Sequence, residues 1–295
     1  TDALDNSAGV STSDHEVNIK ILLADAEAEG MLTRRARDEL LREMTDEVAA
    51  LVLRDNHQQS LAVTLETMGG PDDLPAQAAL MERLEAAGLL DRAVAGLPDA
   101  AAMARRIGAG EVLTRPEIAA LLPFAKLWLT DALTDSALTA DRALLPALFA
   151  YFPVPLRERF APLIERHRLR RELLATIVAN AVANRLGCAG LARLGDDPVA
   201  LCRAALLASE AFGLEAACDA IDGAAAPAEA RLSALMALRR LQEATAAALL
   251  DVPAQPLEAA LAELRPGVAA LVAAATAEVV APLPGLPREA GALAA

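Results

Sequence analysis

Aromatic side chains make up only 2% of the 295 residues, with one Trp, one Tyr and five Phe. Strands draw on aromatic and β-branched residues, so a sheet protein is a poor fit. Cysteine is also scarce: Cys188, Cys202 and Cys218 are odd in number and form no CxxC pair. That excludes a disulfide framework and a cysteine zinc site, and the three read as small buried apolar residues of a reducing compartment. Lysine occurs only at positions 20 and 126, and 27 basic against 41 acidic residues leave a net charge of −14. Such a chain repels a phosphate backbone unless its arginines segregate onto one face, so nucleic acid is not an expected partner. The longest apolar run, GVAALVAAATAEVVAPL from Gly267, is mostly alanine, contains Glu278 and is bracketed by Pro266 and Pro282. A spanning helix needs roughly 20 strongly apolar residues. No basic stretch followed by an apolar one marks a signal peptide. The expectation is a cytoplasmic chain without a membrane partner.

What is present is helical. Ala, Leu, Arg and Glu dominate, and their patterning predicts an all-α, irregular multi-helix bundle without solenoid repeats. Ser13-Asp14-His15-Glu16 has the form of a capping box, predicting a polar turn over Asn6–Val10 and a helix from Ser13 to about Gly30. Thr33 is the expected cap of a second helix, in which Leu40, Met44, Val48, Leu51 and Val52 recur to about Arg54. A further helix ends at Gly69-Gly70-Pro71, the clearest break in the first half and the expected domain boundary. Beyond it, helices are expected near 75–87 and 99–107, then one capped by Thr114 with Pro116 in its first turn. Ile118, Leu121, Leu122, Ala125, Leu129 and Leu133 form the buried stripe of that helix. A proline-punctuated stretch precedes a long helix from about Glu165 to Leu186, followed by helices near 198–212 and 227–250. The chain is then expected to close in Pro- and Ala-rich sequence, with a loose tail from 281.

Few residues suggest chemistry. Gly108-Ala109-Gly110 lacks the third glycine of a dinucleotide fingerprint, since Leu113 stands in its place. His15, His57 and His167 are far apart and form no metal motif, so each reads as a surface or satisfied core histidine. Trp128 and Tyr151 are expected in the core. The run RERFAPLIERHRLRRE offers guanidinium forks to an anion, but Glu158, Glu165 and Glu172 lie between its arginines and suit ion pairs instead. At the N-terminus, small residues from Asn6 to Val10 precede a helix start whose free N–H groups suit a carboxylate. Ser13 would cap that helix and still donate its hydroxyl proton to a ligand; the plain alternative is a cap and nothing more.

The stretch TDALDNSAGVSTSDHEVNIKILL resembles the end of the nucleotide-binding part of the large bacterial NAD-specific glutamate dehydrogenases. LVLRDNHQQ, LTRPEIAALLPFAK and YFPVPLRERFAPLIERHRLRRELLATIVANAVANR resemble later blocks of the same family, in order, to about residue 222. The resemblance implies that Asn6 lies beside the nicotinamide of NAD, Val10 packs on the aliphatic part of L-glutamate, and Ser13 binds its side-chain carboxylate. Ser7-Ala8 and Ser11-Thr12 depart from the family pattern. The family's catalytic lysines and glycine-rich dinucleotide turn have no counterpart here. The expectation is therefore a C-terminal portion of a longer enzyme that converts L-glutamate to 2-oxoglutarate, is a homo-oligomer, and is inactive as this chain alone. Residues 1–68 would close the catalytic region, 69–280 form a helical domain for oligomerisation or regulation, and 281–295 form the tail. The alternative is a non-enzymatic acidic helical scaffold.

Overall fold

The computed structural model describes residues 2–278, which form fifteen α-helices and no strand. In chain order these are α1 (Asp2–Ala28), α2 (Arg34–Glu43), α3 (Thr45–Met68), α4 (Leu74–Ala86), α5 (Arg92–Ala95), α6 (Ala100–Ala109), α7 (Arg115–Thr134), α8 (Leu145–Tyr151), α9 (Val154–Arg159), α10 (Ala161–Glu165), α11 (Arg170–Arg193), α12 (Pro198–Phe212), α13 (Leu214–Asp222), α14 (Ala228–Leu249) and α15 (Leu257–Glu278). The all-α expectation holds. The tail from 281 lies outside the described residues.

The turn expected over Asn6–Val10 and the capping box at Ser13 are absent, because α1 runs unbroken through both. The Thr12 hydroxyl donates to the Ala8 carbonyl at 2.8 Å and that of Ser13 to the Val10 carbonyl at 2.9 Å. These are the bonds a hydroxyl makes inside a helix rather than at its start. With no proline before Glu29 and a single glycine, Gly9, nothing stops the backbone ladder. One interior glycine costs only ~1 kcal/mol.

Thr33 caps α2 as expected, accepting from the Ala36 N–H at 3.2 Å. The single helix read from Thr33 to Arg54 is instead two. Met44, 1% exposed, sits at the bend with φ −90° and ψ −3°, and α3 restarts at Thr45 and continues to Met68. Asp46 and Glu47 favour a helix start there, since acidic side chains complement the N-terminal dipole. The helix after Thr114 has a full capping box with Glu117, and all six residues of its expected stripe are buried.

Three short helices occupy the proline-punctuated stretch, α8, α9 and α10, each with proline in its first two positions. The long helix after them starts at Arg170, not Glu165, and continues past Leu186 to Arg193. It bends at Gly187, whose φ of 64° and ψ of −179° are essentially glycine-only. The Ala-rich stretch after the helix near 227–250 is itself helical, as α15. Pro266 is carried inside α15, and Asp141 sets that helix's start. One Asp141 oxygen accepts the Ala143 N–H at 2.9 Å and the other the Leu257 N–H at 2.7 Å.

The α11 helix is the centre of the packing, lying against α7, α3, α4, α8, α12 and α14. It is the one helix among the described residues long and apolar enough to cross a membrane, and most of that apolar stretch is buried within the protein. The main core is continuous from Ile19 in α1 to Leu261 in α15, and a smaller one joins Leu65 to α13 and α14. Val63 and Leu74, on either side of Gly69-Gly70-Pro71, belong to the same main core. Trp128 is buried as expected, and all three cysteines are free and buried. Tyr151 is only half-buried, because its hydroxyl is engaged in hydrogen bonds at the edge of α1.

Candidate functional site

Asn6, Val10 and Ser13 fall at helical spacing on one face of α1, followed by Val17. All four are exposed, Val10 at 63% and Val17 at 51%. The structure therefore brings the three expected site residues together as an open stripe rather than a turn. It does not provide the helix terminus on which the carboxylate reading of Ser13 rested. Its backbone N–H groups lie inside a helix, and its hydroxyl is committed to the Val10 carbonyl.

The opposite face of α1 is held by a polar seam. Gln59 of α3 donates to the Ser7 hydroxyl at 2.8 Å, and the Ser11 hydroxyl donates to Asp55 at 2.6 Å. One turn on, His15 is buried and stacks on Tyr151 with ring centroids 4.4 Å apart. The Tyr151 hydroxyl donates to Asp14 at 2.8 Å and accepts from Asn18 at 3.1 Å. Buried His167 accepts the Leu169 N–H on Nδ1, at 3.2 Å, which leaves Nε2–H to donate to the Asn18 carbonyl at 3.1 Å.

Charge in this seam follows from its surroundings. Burial alone would raise the Asp55 carboxyl, but the His15 and Ser11 side chains and the Arg54 charge outweigh it and hold the group below its ordinary value. Burial and the neighbouring Asp14 push the Tyr151 phenol up, so it stays protonated and donating. Burial lowers His167 and keeps it neutral. Half-buried Lys126 is drawn down to about 8 by burial, against the opposing pull of Asp55. Lys20 is simply paired with Glu16 one turn away.

The arginine-rich run faces this region too, but its partners are not the interleaved glutamates. Arg166 pairs with Glu29 at 2.6 Å, Arg168 with Asp25, and Arg157 with Glu47 at 3.8 Å. These pairs clamp the ends of α1 and α3 onto the stretch around α9 and α10. A cleft of about 400 Å³ opens between α3, α11 and α13, where His57 meets Asp222 and Arg185 meets Glu215. Its cations are already paired, which leaves no free charge for an anion. No group of His, Cys, Asp and Glu among the described residues is arranged to hold a metal.

Sequence reasoning missed a buried node. Glu66 of α3, 2% exposed, accepts Gln77 of α4 at 2.9 Å and the backbone N–H of Ala189 in α11 at 2.8 Å on one oxygen. Arg239 of α14, 5% exposed, pairs with its other oxygen. The only local signal was a glutamate placed among the apolar residues Ala62, Val63 and Leu65 of α3.

Residues 110–282 match the family described as "Glutamate dehydrogenase, C-terminal", and residues 1–66 match "Bacterial NAD-glutamate dehydrogenase, catalytic domain". The NAD-specific glutamate dehydrogenase of Pseudomonas aeruginosa is 41% identical over 197 residues, 67% of this chain and 12% of that protein. That of Mycobacterium tuberculosis is 36% identical over 261 residues, 87% of this chain and 16% of that protein. The Halomonas elongata protein of the same name is 34% identical over 247 residues, 82% of this chain and 15% of its own length. The chain thus spans between 12% and 16% of the relatives it matches.

Proposed function

Because the chain belongs to the glutamate dehydrogenase family, by its C-terminal region, we propose that it works as part of an NAD-dependent glutamate dehydrogenase. The reaction of the complete enzyme is L-glutamate, NAD and water to 2-oxoglutarate, ammonia and NADH. In this reading residues 1–68 contribute one wall of the catalytic site and 69–280 form a helical domain for oligomerisation or regulation. A match of residues 1–66 to a catalytic domain supports this assignment and leaves the scaffold alternative without support. In this reading the enzyme is a homo-oligomer and is cytoplasmic, the latter in keeping with three free, buried thiols.

The observation that carries the reading is the match of residues 1–66 to a catalytic domain, within which Asn6, Val10 and Ser13 share an exposed face. On that face Val10 supplies apolar contact for the glutamate methylenes. A rotation of the Ser13 side chain releases its hydroxyl from the Val10 carbonyl to donate to the side-chain carboxylate. Asn6 takes the nicotinamide side in this reading, as the family resemblance implies. The described residues contain no strand, hence no strand-turn-helix cradle for the pyrophosphate. They do not fit the whole cofactor, and the isolated chain is inactive in this reading.

The test is Ser13→Ala in the complete enzyme, which is expected to raise KM for glutamate by an amount worth about 1–3 kcal/mol, the cost of leaving a polar group unpaired. Unchanged steady-state kinetics would remove Ser13 from the site.

A further inference from the structure

In an unbroken helix the Ala189 N–H would bond to the Arg185 carbonyl. At the Gly187 bend it donates to Glu66 instead, at 2.8 Å. The space Glu66 and Arg239 occupy there exists only because position 187 has no side chain. A Cβ on Gly187 would lie 1.9 Å from Glu66 Oε2 and 2.3 Å from Arg239 Nη2. The bend and the ion pair therefore require each other.

The same helix face links this node to α1. Asp55, Gln59, Ala62 and Glu66 lie at helical spacing along one side of α3. Asp55 and Gln59 hold Ser11 and Ser7 of α1, and Glu66, about 10 to 16 Å further along the axis, holds α4, α11 and α14. A buried ion pair adds little net stability over a well-packed apolar pair of similar size. What this pair contributes is position.

We infer that Glu66 is a positioning residue: its carboxylate fixes α3 to the bend of α11, and through the Asp55 and Gln59 contacts it sets where α1 sits. The helical domain thus acts on the outward face of α1 along one rod of helix. Only the description of that face as a substrate wall rests on the proposed function. The measurement below reads α1 directly, so its failure leaves the Ser13→Ala kinetics untouched, and the reverse also holds.

The experiment is amide hydrogen exchange on the 295-residue chain with two paired substitutions. Glu66→Gln with Arg239→Met keeps an acceptor oxygen for the Ala189 N–H without burying a lone charge. Glu66→Leu with Arg239→Met removes the acceptor as well. Exchange of α1 amides over 7–18 should stay near wild type in the first variant and rise about tenfold or more in the second. A merely local role would confine the change in the second variant to residues near the bend and in α14, and that result overturns the inference. If the second variant does not fold, the first decides. There, α1 amides over 7–18 that open together with the Ala189 N–H, with the same free energy and urea dependence, uphold the inference, and α1 amides that open independently of it overturn it.

Discussion

Helices α1 and α11 are close in length, 27 and 24 residues, and are held in opposite ways. One side of α1 is fastened by serine hydroxyls, an asparagine and a stacked histidine, while the other side, with Val10 and Val17, faces outward. The α11 helix is enclosed on nearly every side, and its one irregularity is filled by a buried ion pair. The pairing of an open, polar-bound helix with a closed, apolar-bound one separates two tasks. The outward side of α1 stays free of packing, and the helix at the centre of the fold is packed on nearly every side.

Three substitutions grade this contrast. Gly187→Ala should be the most damaging, because it forces a side chain into a glycine-only conformation and against Glu66 and Arg239. A loss of about 3 kcal/mol or more in urea denaturation is expected, and a loss below ~1 kcal/mol would show that the bend gives way easily.

The polar seam should respond to acid. His167 has its folded value depressed by burial below the ordinary 6.5. The unfolded chain therefore takes up its proton first as pH falls. The stability from the neutral ring is complete above 6.5 and is lost as pH drops through that value toward the folded one. One proton sets a slope of at most about 1.4 kcal/mol per pH unit. His167→Gln should flatten the profile between pH 7 and 5, and an unchanged slope would assign the acid loss to other groups. Asp25, Arg168 and Glu172 are the nearby charges that modulate it.

Val10→Ala should have the smallest effect on folding, within about 0.5 kcal/mol, because the side chain is mostly in water. A loss of ~2 kcal/mol would mean the outward face of α1 is packed after all, and the contrast with α11 would fail.

Local signals were legible where nothing distant competed with them. The Thr114–Glu117 box, Pro116 and the stripe from Ile118 to Leu133 all lie within one helix, and each does there what its sequence implies. At Ser13 the same kind of signal misled, since Ser-x-x-Glu also suits a helix interior, and residues 2–12 contain nothing that would end one. Gly187 is hard to read from its neighbours, because what fixes the bend comes from Glu66 and Arg239, themselves 173 residues apart in sequence. The α13 helix, nine residues long, was too short to stand out. As for the site, the spacing of Asn6, Val10 and Ser13 is plain in the sequence, but their roles came from resemblance, since an exposed Asn, Val and Ser carry no chemical mark of their own.

Asp141 caps the short helical turn that begins at Arg142 with one carboxylate oxygen and α15, which starts 116 residues beyond it, with the other. At most helix starts Asp, Asn and Ser serve interchangeably, because one acceptor atom is enough. Here an amide would present one acceptor and one donor, and a hydroxyl would reach only one of the two N–H groups. The position thus selects for the two-fold symmetry of a carboxylate rather than for its charge. The start of α15 is in this way written into the loop that follows Thr134.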